Sequence, residues 1–434
     1  MRILLLASFS NSEMRDYLHF KGNNRMFQTM LRLFRIPERV GEARDYASWI
    51  PNIISEIERS KEIELHVAGP QARLKKHIEE FELRGVNYHF FRADYSSFIR
   101  KVNNYRVWKF FQNSCHTTRS LLRKIRPDLV VLSGAENPVT SVCILAARAY
   151  PCLCLCQTVY NNPAREEYLV PKRLTQDLEK DIFAKLSYFG VYSSLHYNLL
   201  RKFNPGATIF KYGYPSKGVI RQPDLSIKKE YDFVNFALIH GARKGTTDSI
   251  QALAIVKEFY PDVRLNIVGG CDPSAKARFD RMIQELGLEK NVFFTPLFEK
   301  KTDLFAHIQK SRFAVLPCKL DHTSATMSQA MQLGLPIVVY RTTGTPYFNR
   351  DGLSALIAEK DNVQDLAKHM ISLIDNPDLA DTLKINARLY QEKKAMIAKD
   401  NGPQLLSIFR AVYANAICGK PIPTGLLFDV ERDD

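Results

Sequence analysis

The chain has 434 residues, which is too long for one hydrophobic core and favours two domains of roughly 200 residues each. Its composition, 45% hydrophobic and 25% charged, excludes a low-complexity chain, and no window approaches the roughly 20 apolar residues of a membrane span. The apolar run Ile3–Ala7 is short for a signal peptide. Eight cysteines do not suffice for a secreted disulfide framework of this size, so we expect a cytoplasmic protein.

The net charge of +15 is concentrated in the first half of the chain. Residues 1–217 hold 33 Lys and Arg against 20 Asp and Glu, whereas residues 218–434 hold 28 against 26. An excess of positive charge raises the local concentration of anions. We therefore expect the first half to attract nucleic acid, a phospholipid surface or a phosphorylated substrate.

Apolar runs and helical periodicity alternate along the first half. The pattern predicts strands at 2–8, 62–69, 86–91, 127–132, 152–156 and 188–192. It predicts helices at 23–36, 71–84, 100–126, 139–149 and 174–187. Such alternation is typical of a parallel sheet covered by helices on both faces.

Three cysteines alternate along one predicted strand, so Cys152, Cys154 and Cys156 share one face. A metal cluster at this face is conceivable. The neighbouring residues are apolar, and no His or carboxylate is adjacent. We therefore favour buried thiols that pack as small hydrophobic groups, and we expect no metal site.

The segment 100–126 holds eight Lys and Arg residues and no acidic residue. Four aromatic residues are interleaved with these cations: Tyr105, Trp108, Phe110 and Phe111. The composition suits a helix at an anionic membrane interface, at the inner face of the cell membrane. The same composition could stack on single-stranded nucleic acid, or it could belong to a packed helix with a basic outer face. Between the two ligands we favour the membrane and expect no nucleic acid.

Two polar turns follow strands of the first half, at 133–138 and 157–163. The carboxyl ends of parallel strands meet at one edge of a sheet, where ligands bind. Four side chains there are candidate contacts for a polyhydroxylated acceptor: Glu136, Gln157, Tyr160 and Asn161. Asn-Pro and Gly also favour turns for purely conformational reasons, so this interpretation stays open.

The second half repeats the strand–helix alternation. Its predicted strands lie at 232–239, 264–268, 292–294, 313–317 and 337–340. Its predicted helices lie at 245–259, 274–287, 302–310, 362–375 and 378–396, with one more that ends at Gly334. A polar stretch rich in Gly and Pro near 215–230 marks the domain boundary. We predict a first domain over 1–217, a second over 218–396, and a C-terminal helix and tail over 397–434 that pack toward the first domain.

Two turns of the second half suit an anionic ligand. The turn 240–245, HGARKG, places Arg243 and Lys244 between a strand and a helix start, where cations can neutralise a diphosphate. A turn rich in hydroxyls opens the helix that ends at Gly334, and the first turn of a helix leaves backbone N–H groups for a phosphate. Asp321 and Gln329 beside it could bind hydroxyls. Both turns could equally be ordinary surface turns of an α/β protein.

In their order along the chain these motifs resemble the GT-B glycosyltransferases of family 4, the retaining "group 1" transferases. The resemblance rests on FALIHGARKGTTDSIQA, LNIVGG, NVFFTPLFEKKTDLFAHIQKSRFAVLPC, TTGTPYFNRDGLSALI and DNVQDLAKHMISLIDNP. The family's E-x7-E element followed by AM, G and P is matched from Asp321 to Pro336, with Asp321 and Gln329 in place of the two glutamates. The resemblance covers about 232–390, and the first half matches only in strand order.

The resemblance implies two Rossmann-like, doubly wound α/β domains that face a central cleft. It implies a retaining transfer of sugar from a nucleotide-diphosphate donor to a glycan or lipid-linked acceptor, in polysaccharide or glycolipid biosynthesis, with no metal or other cofactor. Lys244, Arg243 and Asp321 would be catalytic. The implied donor-binding residues are Gly241, Gly269, Thr295, Thr323, Ser324, Ala325, Thr326 and Gln329. The alternatives are a sugar-nucleotide epimerase on the same fold, or a non-catalytic partner that binds donor or membrane.

Overall fold

The computed structural model describes residues 1–20, 47, 49–71, 74–94, 111–165, 173–215, 220–298, 300–320 and 324–430. The chain divides into two compact units. The N-terminal unit comprises Met1–Pro163, Pro171–Lys217 and Ala398–Asp434, and the C-terminal unit comprises Ala164–Val170 and Gly218–Ile397. The predicted helix at 23–36 lies outside the described residues.

An eight-stranded sheet forms the N-terminal unit. Its strands are β1 (Arg2–Leu6), β2 (Glu64–Gln71), β3 (Ile78–Leu83), β4 (Val86–Arg92), β5 (Leu129–Ser133), β6 (Cys152–Leu155), β7 (Tyr188–Val191) and β8 (Thr208–Lys211). Its helices are α1 (Ser12–Arg15), α2 (Ile50–Glu58), α3 (Gln112–Ile125), α4 (Pro138–Leu145), α5 (Arg173–Lys185) and α6 (Ser194–Phe203). The strand order is β3-β4-β2-β1-β5-β6-β7-β8, and every pairing is parallel except that of β3 with β4.

The predicted helix at 71–84 is wrong, because this stretch ends one strand and forms another. β3 pairs antiparallel with β4 through a two-residue turn in which Arg84 and Gly85 have φ of 54° and 76°. Such a turn matches the twist of a hairpin. Phe81 of β3 stacks on Tyr88 of β4 with ring centroids 4.9 Å apart. Cross-strand packing of this kind outweighs the helix propensity of the neighbouring glutamates.

The three alternating cysteines lie in the core of the N-terminal unit, as predicted from their apolar surroundings. Cys152 is 6% exposed, Cys154 0% and Cys156 1%, and all belong to one hydrophobic cluster. Burial raises the pKa of the Cys152 thiol to about 12, so the thiol stays protonated. Neutral, buried thiols of this kind pack as small hydrophobic side chains.

Helix α3 occupies only part of the basic segment predicted over 100–126, and residues 100–110 lie outside the described part of the chain. Leu121, Leu122 and Ile125 pack into the core. Arg119 and Arg123 are exposed on the opposite face. The described part of this segment is therefore a packed helix with a basic outer face.

A six-stranded, all-parallel sheet forms the C-terminal unit. Its strands are β9 (Tyr231–Ile239), β10 (Leu265–Gly270), β11 (Val292–Thr295), β12 (Ser311–Leu316), β13 (Ile337–Tyr340) and β14 (Leu356–Ala358), in the order β11-β10-β9-β12-β13-β14. Its helices are α7 (Thr246–Phe259), α8 (Pro273–Glu285), α9 (Lys301–Ile308), α10 (Ala325–Gln332) and α11 (Val363–Asp375). Apolar residues of the strands pack against helices on both faces of the sheet.

The last helix, α12 (Pro377–Cys418), is longer than the predicted helix 378–396. Its residues up to Ile397 belong to the C-terminal unit, and those from Ala398 belong to the N-terminal unit. Gly402 and Pro403 lie inside the helix rather than at its end. Among the helices that the structure describes, none is long and apolar enough to cross a lipid bilayer.

Candidate functional site

The carboxyl ends of β9 and β12 form the switch point of the C-terminal sheet. The two strands are neighbours, but the chain continues from β9 through α7 to β10 on one side, and from β12 through α10 to β13 on the other. Connections that diverge in this way open a crevice at the carboxyl edge, where open α/β sheets bind their ligands. Residues 240–245 follow β9 at this crevice, and the described residues 317–320 follow β12.

The basic turn, residues 240–245, lies directly against the loop that follows β12. Gly245 has φ of 63°, and a Cβ atom there would lie 2.1 Å from the carbonyl oxygen of Pro317. Only glycine tolerates both this conformation and this approach. The close approach fixes the position of the short 3-10 turn Ala242–Lys244, which presents the two predicted cations.

The loop after β12 contacts the side chain of Lys244 and the backbone of Arg243. The Lys244 ammonium donates to Cys318 Sγ at 3.6 Å, and the Cys318 thiol donates to the Arg243 carbonyl at 3.4 Å. The backbone N–H of Lys319 donates to the same carbonyl at 3.0 Å. Arg243 and Lys244 are half-buried, so their charges meet less solvent screening than those of fully exposed side chains.

His240 begins the basic turn and is buried at 3% exposure. Its Nε2 lies 3.0 Å from the Val268 carbonyl and its Nδ1 lies 3.0 Å from the Thr246 hydroxyl. A carbonyl only accepts, so Nε2 carries the proton and Nδ1 accepts from Thr246. Burial lowers the pKa of His240, and nearby Lys244 adds to this effect. The sequence analysis missed His240, because a lone histidine carries no pattern that assigns it a position.

Gly269 lies at the carboxyl end of β10, beside the basic turn. Its φ is +138°, and a Cβ atom there would lie 1.8 Å from the Ala237 carbonyl oxygen of β9. The absence of a side chain lets the backbones of β9 and β10 approach each other at the edge of the crevice. The predicted donor residues thus border the same edge, with Gly241 in the turn after β9 and Gly269 in the neighbouring strand β10.

Helix α10 starts at the crevice with a hydroxyl cap. Ser324 is its N-cap and accepts from the backbone N–H of Met327 at 3.3 Å, and its hydroxyl lies 2.7 Å from that of Thr326. Ala325 is exposed, and Gln329 is half-buried in the second turn of the helix. The remaining N–H groups of the first turn and the helix dipole favour an anion. Asp321 and Thr323, also predicted here, lie outside the described residues.

Thr295 ends β11, and its side chain takes part in an internal network. Its hydroxyl donates to Asn266 Oδ1 at 3.0 Å, and Asn266 donates to His307 Nε2 at 2.7 Å. The network joins two strands to α9. The predicted role of Thr295 in donor binding stays a prediction.

In the N-terminal unit the predicted acceptor residues lie at the carboxyl ends of β5 and β6. Gln157 donates to the Ser133 hydroxyl at 2.8 Å, which links the two turns. The Glu136 carboxylate folds over Gly134, whose φ of +83° suits glycine. The structure therefore brings Glu136 and Gln157 to neighbouring strand ends.

Glu179 of α5 organises the turn that carries the other two acceptor candidates. Its carboxylate is fully buried and accepts 2.8 Å bonds from the backbone N–H groups of Tyr160 and Asn161, and a third from Asn161 Nδ2. Three donors on one carboxylate fix the backbone of the turn. The sequence analysis missed Glu179, because nothing near it in the chain indicates burial.

Comparisons of the sequence with known proteins find similarity to glycosyltransferases. Residues 221–390 match the family described as "Glycosyl transferases group 1". An uncharacterized glycosyltransferase of Haemophilus influenzae is 25% identical over 150 residues, which cover 34% of this chain and 41% of that protein. A GDP-mannose-dependent alpha-(1-6)-phosphatidylinositol monomannoside mannosyltransferase of Mycolicibacterium smegmatis is 27% identical over 154 residues, covering 34% of this chain and 39% of that protein. The chain thus spans less than half the length of these curated relatives.

The structural similarity to solved proteins covers both units of the chain. Sucrose-phosphate synthase from Thermosynechococcus elongatus matches with a TM-score of 0.66 at 14% identity, covering 95% of this chain and 99% of that chain. Together with the two parallel-sheet units, this likeness shows the GT-B fold. The predicted fold class is confirmed.

Proposed function

We propose that this chain, which has the GT-B fold and carries a group 1 glycosyltransferase domain over residues 221–390, is a retaining glycosyltransferase. The observation that carries the proposal is the basic turn at the switch point of the C-terminal sheet. There Arg243 and Lys244 lie half-buried, in contact with Cys318 and Lys319 of the loop that follows β12. The donor is a nucleoside-diphosphate sugar.

The chemistry of sugar transfer requires positive charge where the leaving diphosphate forms. Arg243 and Lys244 supply two cations, and the N-terminus of α10 adds backbone donors and its dipole. These groups are fixed before the reaction and need little reorganisation as charge develops. Gln329 binds the nucleotide ribose, and Asp321 orients the donor sugar. In this proposal the cations act without a metal ion.

The acceptor is a glycan or a lipid-linked saccharide that binds the N-terminal unit near Glu136, Gln157, Tyr160 and Asn161. Amide, carboxylate and phenol groups at strand ends can share hydrogen bonds with sugar hydroxyls. The mannosyltransferase named above combines a nucleotide sugar with a phosphatidylinositol-linked acceptor, which supports a lipid-linked acceptor here. The excess positive charge of residues 1–217 suits a phosphorylated lipid carrier.

The test is release of nucleoside diphosphate from a panel of UDP-, GDP- and ADP-sugars, first without acceptor and then with membrane extract. We expect slow hydrolysis of one donor, faster turnover with extract, and a loss of at least about 100-fold in kcat for Lys244→Ala. The matched control is Lys290→Ala. Lys290 is exposed and precedes β11, so it lies at the opposite edge of the same sheet.

The control variant should retain the activity of the unchanged protein. Binding of a donor without any turnover, with extract supplied, would contradict the transferase and favour a non-catalytic partner. Formation of an epimer of the donor sugar would instead favour an epimerase. Proton NMR of the first product, before mutarotation, measures whether the anomeric configuration is retained.

A further inference from the structure

We propose that Lys319 is a positioning residue that holds the basic turn in its binding geometry and offsets part of the negative charge of two carboxylates beside it. The inference rests on the proposed function, because it concerns how the same crevice receives a nucleoside diphosphate. Lys319 lies in the loop after β12, two positions before Asp321 in the sequence.

The Lys319 side chain is enclosed by acidic partners. Its ammonium lies 2.9 Å from Asp248 Oδ2 and 2.6 Å from Asp361 Oδ1, and the side chain is 14% exposed. The Tyr340 hydroxyl donates to the same Asp248 oxygen at 2.8 Å. These contacts join the loop after β12 to the first turn of α7, to the end of β13 and to Asp361, which lies two residues before the start of α11. One ammonium group thus connects four segments at the carboxyl edge of the sheet.

The backbone of Lys319 transmits this anchoring to the catalytic candidates. Its N–H donates to the Arg243 carbonyl at 3.0 Å, and the neighbouring Cys318 contacts both Arg243 and Lys244. A displacement of Lys319 therefore displaces the basic turn. A shift of about 1 Å in a positioning group can lower the rate by roughly 100-fold.

The charge balance gives Lys319 a second effect. The side chain of Asp248 is 8% exposed. Asp248 lies in the first turn of α7, the helix that follows the basic turn directly. Burial lowers the pKa of Lys319, but the hydrogen bonds that its ammonium donates to Asp361 and Asp248 raise it by more, so the ammonium stays charged. Removal of the ammonium leaves two carboxylates whose negative charge opposes that of a bound diphosphate.

The experiment uses the full chain and three variants: Lys319→Met, Lys319→Arg, and Lys319→Met combined with Asp248→Asn and Asp361→Asn. Calorimetry measures the affinity for UDP, GDP and inorganic pyrophosphate, and kinetics measure kcat and KM for the active donor. We expect Lys319→Met to weaken diphosphate binding about tenfold and to lower kcat, and Lys319→Arg to recover part of both. The triple variant should regain most of the affinity but not kcat, because it removes the repulsion without restoring the anchor.

Unchanged affinity and kcat in Lys319→Met would overturn the inference. A triple variant that binds as weakly as Lys319→Met would also overturn it, because the ammonium would then contact the phosphate itself. If Lys319→Met does not fold, the triple variant and Lys319→Arg still give the comparison, with folding checked by circular dichroism. Failure of the unchanged protein to bind any of the three diphosphates would contradict the proposed function instead.

Discussion

His240 makes the basic turn sensitive to acid. The folded-state pKa of His240 is lowered by burial, whereas an unfolded chain has a histidine pKa near 6.5. Between these two values the unfolded state binds more protons, so stability falls as the pH falls below about 6.5. Protonation at Nδ1 would also end its role as acceptor from Thr246. We expect diphosphate affinity and the stability of the C-terminal unit to decline together in this range.

The measurement is denaturant unfolding and UDP or GDP titration between about pH 5 and pH 8, for the unchanged protein and for His240→Gln. A glutamine amide can still donate to the Val268 carbonyl but does not titrate. The variant should therefore lose part of the pH dependence while remaining folded, and the remainder belongs to groups such as His307 and His369, whose pKa burial also lowers. An equal acid response in both proteins would assign the effect to another group.

Gly269 and Gly270 are adjacent and allow a matched test of how much the close approach of the β9 and β10 backbones constrains the residue at this point. An alanine at Gly269 would need φ of +138° and would place Cβ 1.8 Å from the Ala237 carbonyl oxygen. At Gly270 the nearest atom, the Leu238 carbonyl oxygen, would be 3.2 Å away. We expect Gly269→Ala to lower the free energy of unfolding by on the order of 1–3 kcal/mol, and Gly270→Ala to cost clearly less. Equal losses in urea unfolding would show that the close approach is not the cause.

At the scale of single elements, the turn after β6 depends on α5 through Glu179. Glu179→Ala leaves the backbone donors of Tyr160 and Asn161 without this acceptor, which should destabilise the protein by on the order of 1–3 kcal/mol. It should also raise KM for the acceptor more than KM for the donor. Asp177→Ala is the control, because Asp177 is exposed on the same helix. A variant whose acceptor KM is unchanged would exclude this turn from the acceptor site.

Helices and strands with a clear pattern of apolar residues could be predicted from the sequence. Elements that depend on contacts between distant parts of the chain could not. The strands of the C-terminal sheet were identified up to β13, because each is an apolar run followed by a turn. The three-residue strand β14 was too short to give a period, and β8 has only two consecutive apolar residues, Ile209 and Phe210, between polar ones. The continuation of α12 through Gly402 was missed, because glycine followed by proline usually ends a helix.

In the candidate site too, local patterns could be predicted from the sequence and contacts between distant residues could not. The basic turn and the hydroxyl cap at Ser324 are local patterns, so the sequence indicated both. The partners that hold them are far apart in the chain: Lys319 bonds to Asp248, and His240 bonds to the Val268 carbonyl. Pairings of this kind arise from strand order, which brings distant segments to one edge of the sheet.

At the scale of the whole molecule, the uneven charge makes the N-terminal half of the chain the candidate for contact with an anionic surface. The N-terminal half carries nearly all of the excess positive charge. On α3, Arg119 and Arg123 are exposed, whereas Lys124 is paired with Glu80 at 2.7 Å. Phe111 is buried at 1% exposure, so this aromatic residue of the basic segment packs in the core rather than in lipid. A membrane contact through α3 would therefore be electrostatic and should weaken with salt.

Reversal of the two exposed charges tests this contact. Each cation close to an anionic bilayer contributes about 1 kcal/mol, so Arg119→Glu with Arg123→Glu should weaken co-sedimentation with phosphatidylserine vesicles by at least about tenfold. Arg278→Glu with Arg281→Glu makes the same change of charge on exposed positions of α8 in the C-terminal unit. If both double variants lose binding equally, net charge alone attracts the protein. If neither loses binding, α3 is not the contact, whereas selective loss in the α3 variant would identify the N-terminal unit as the part that faces the membrane.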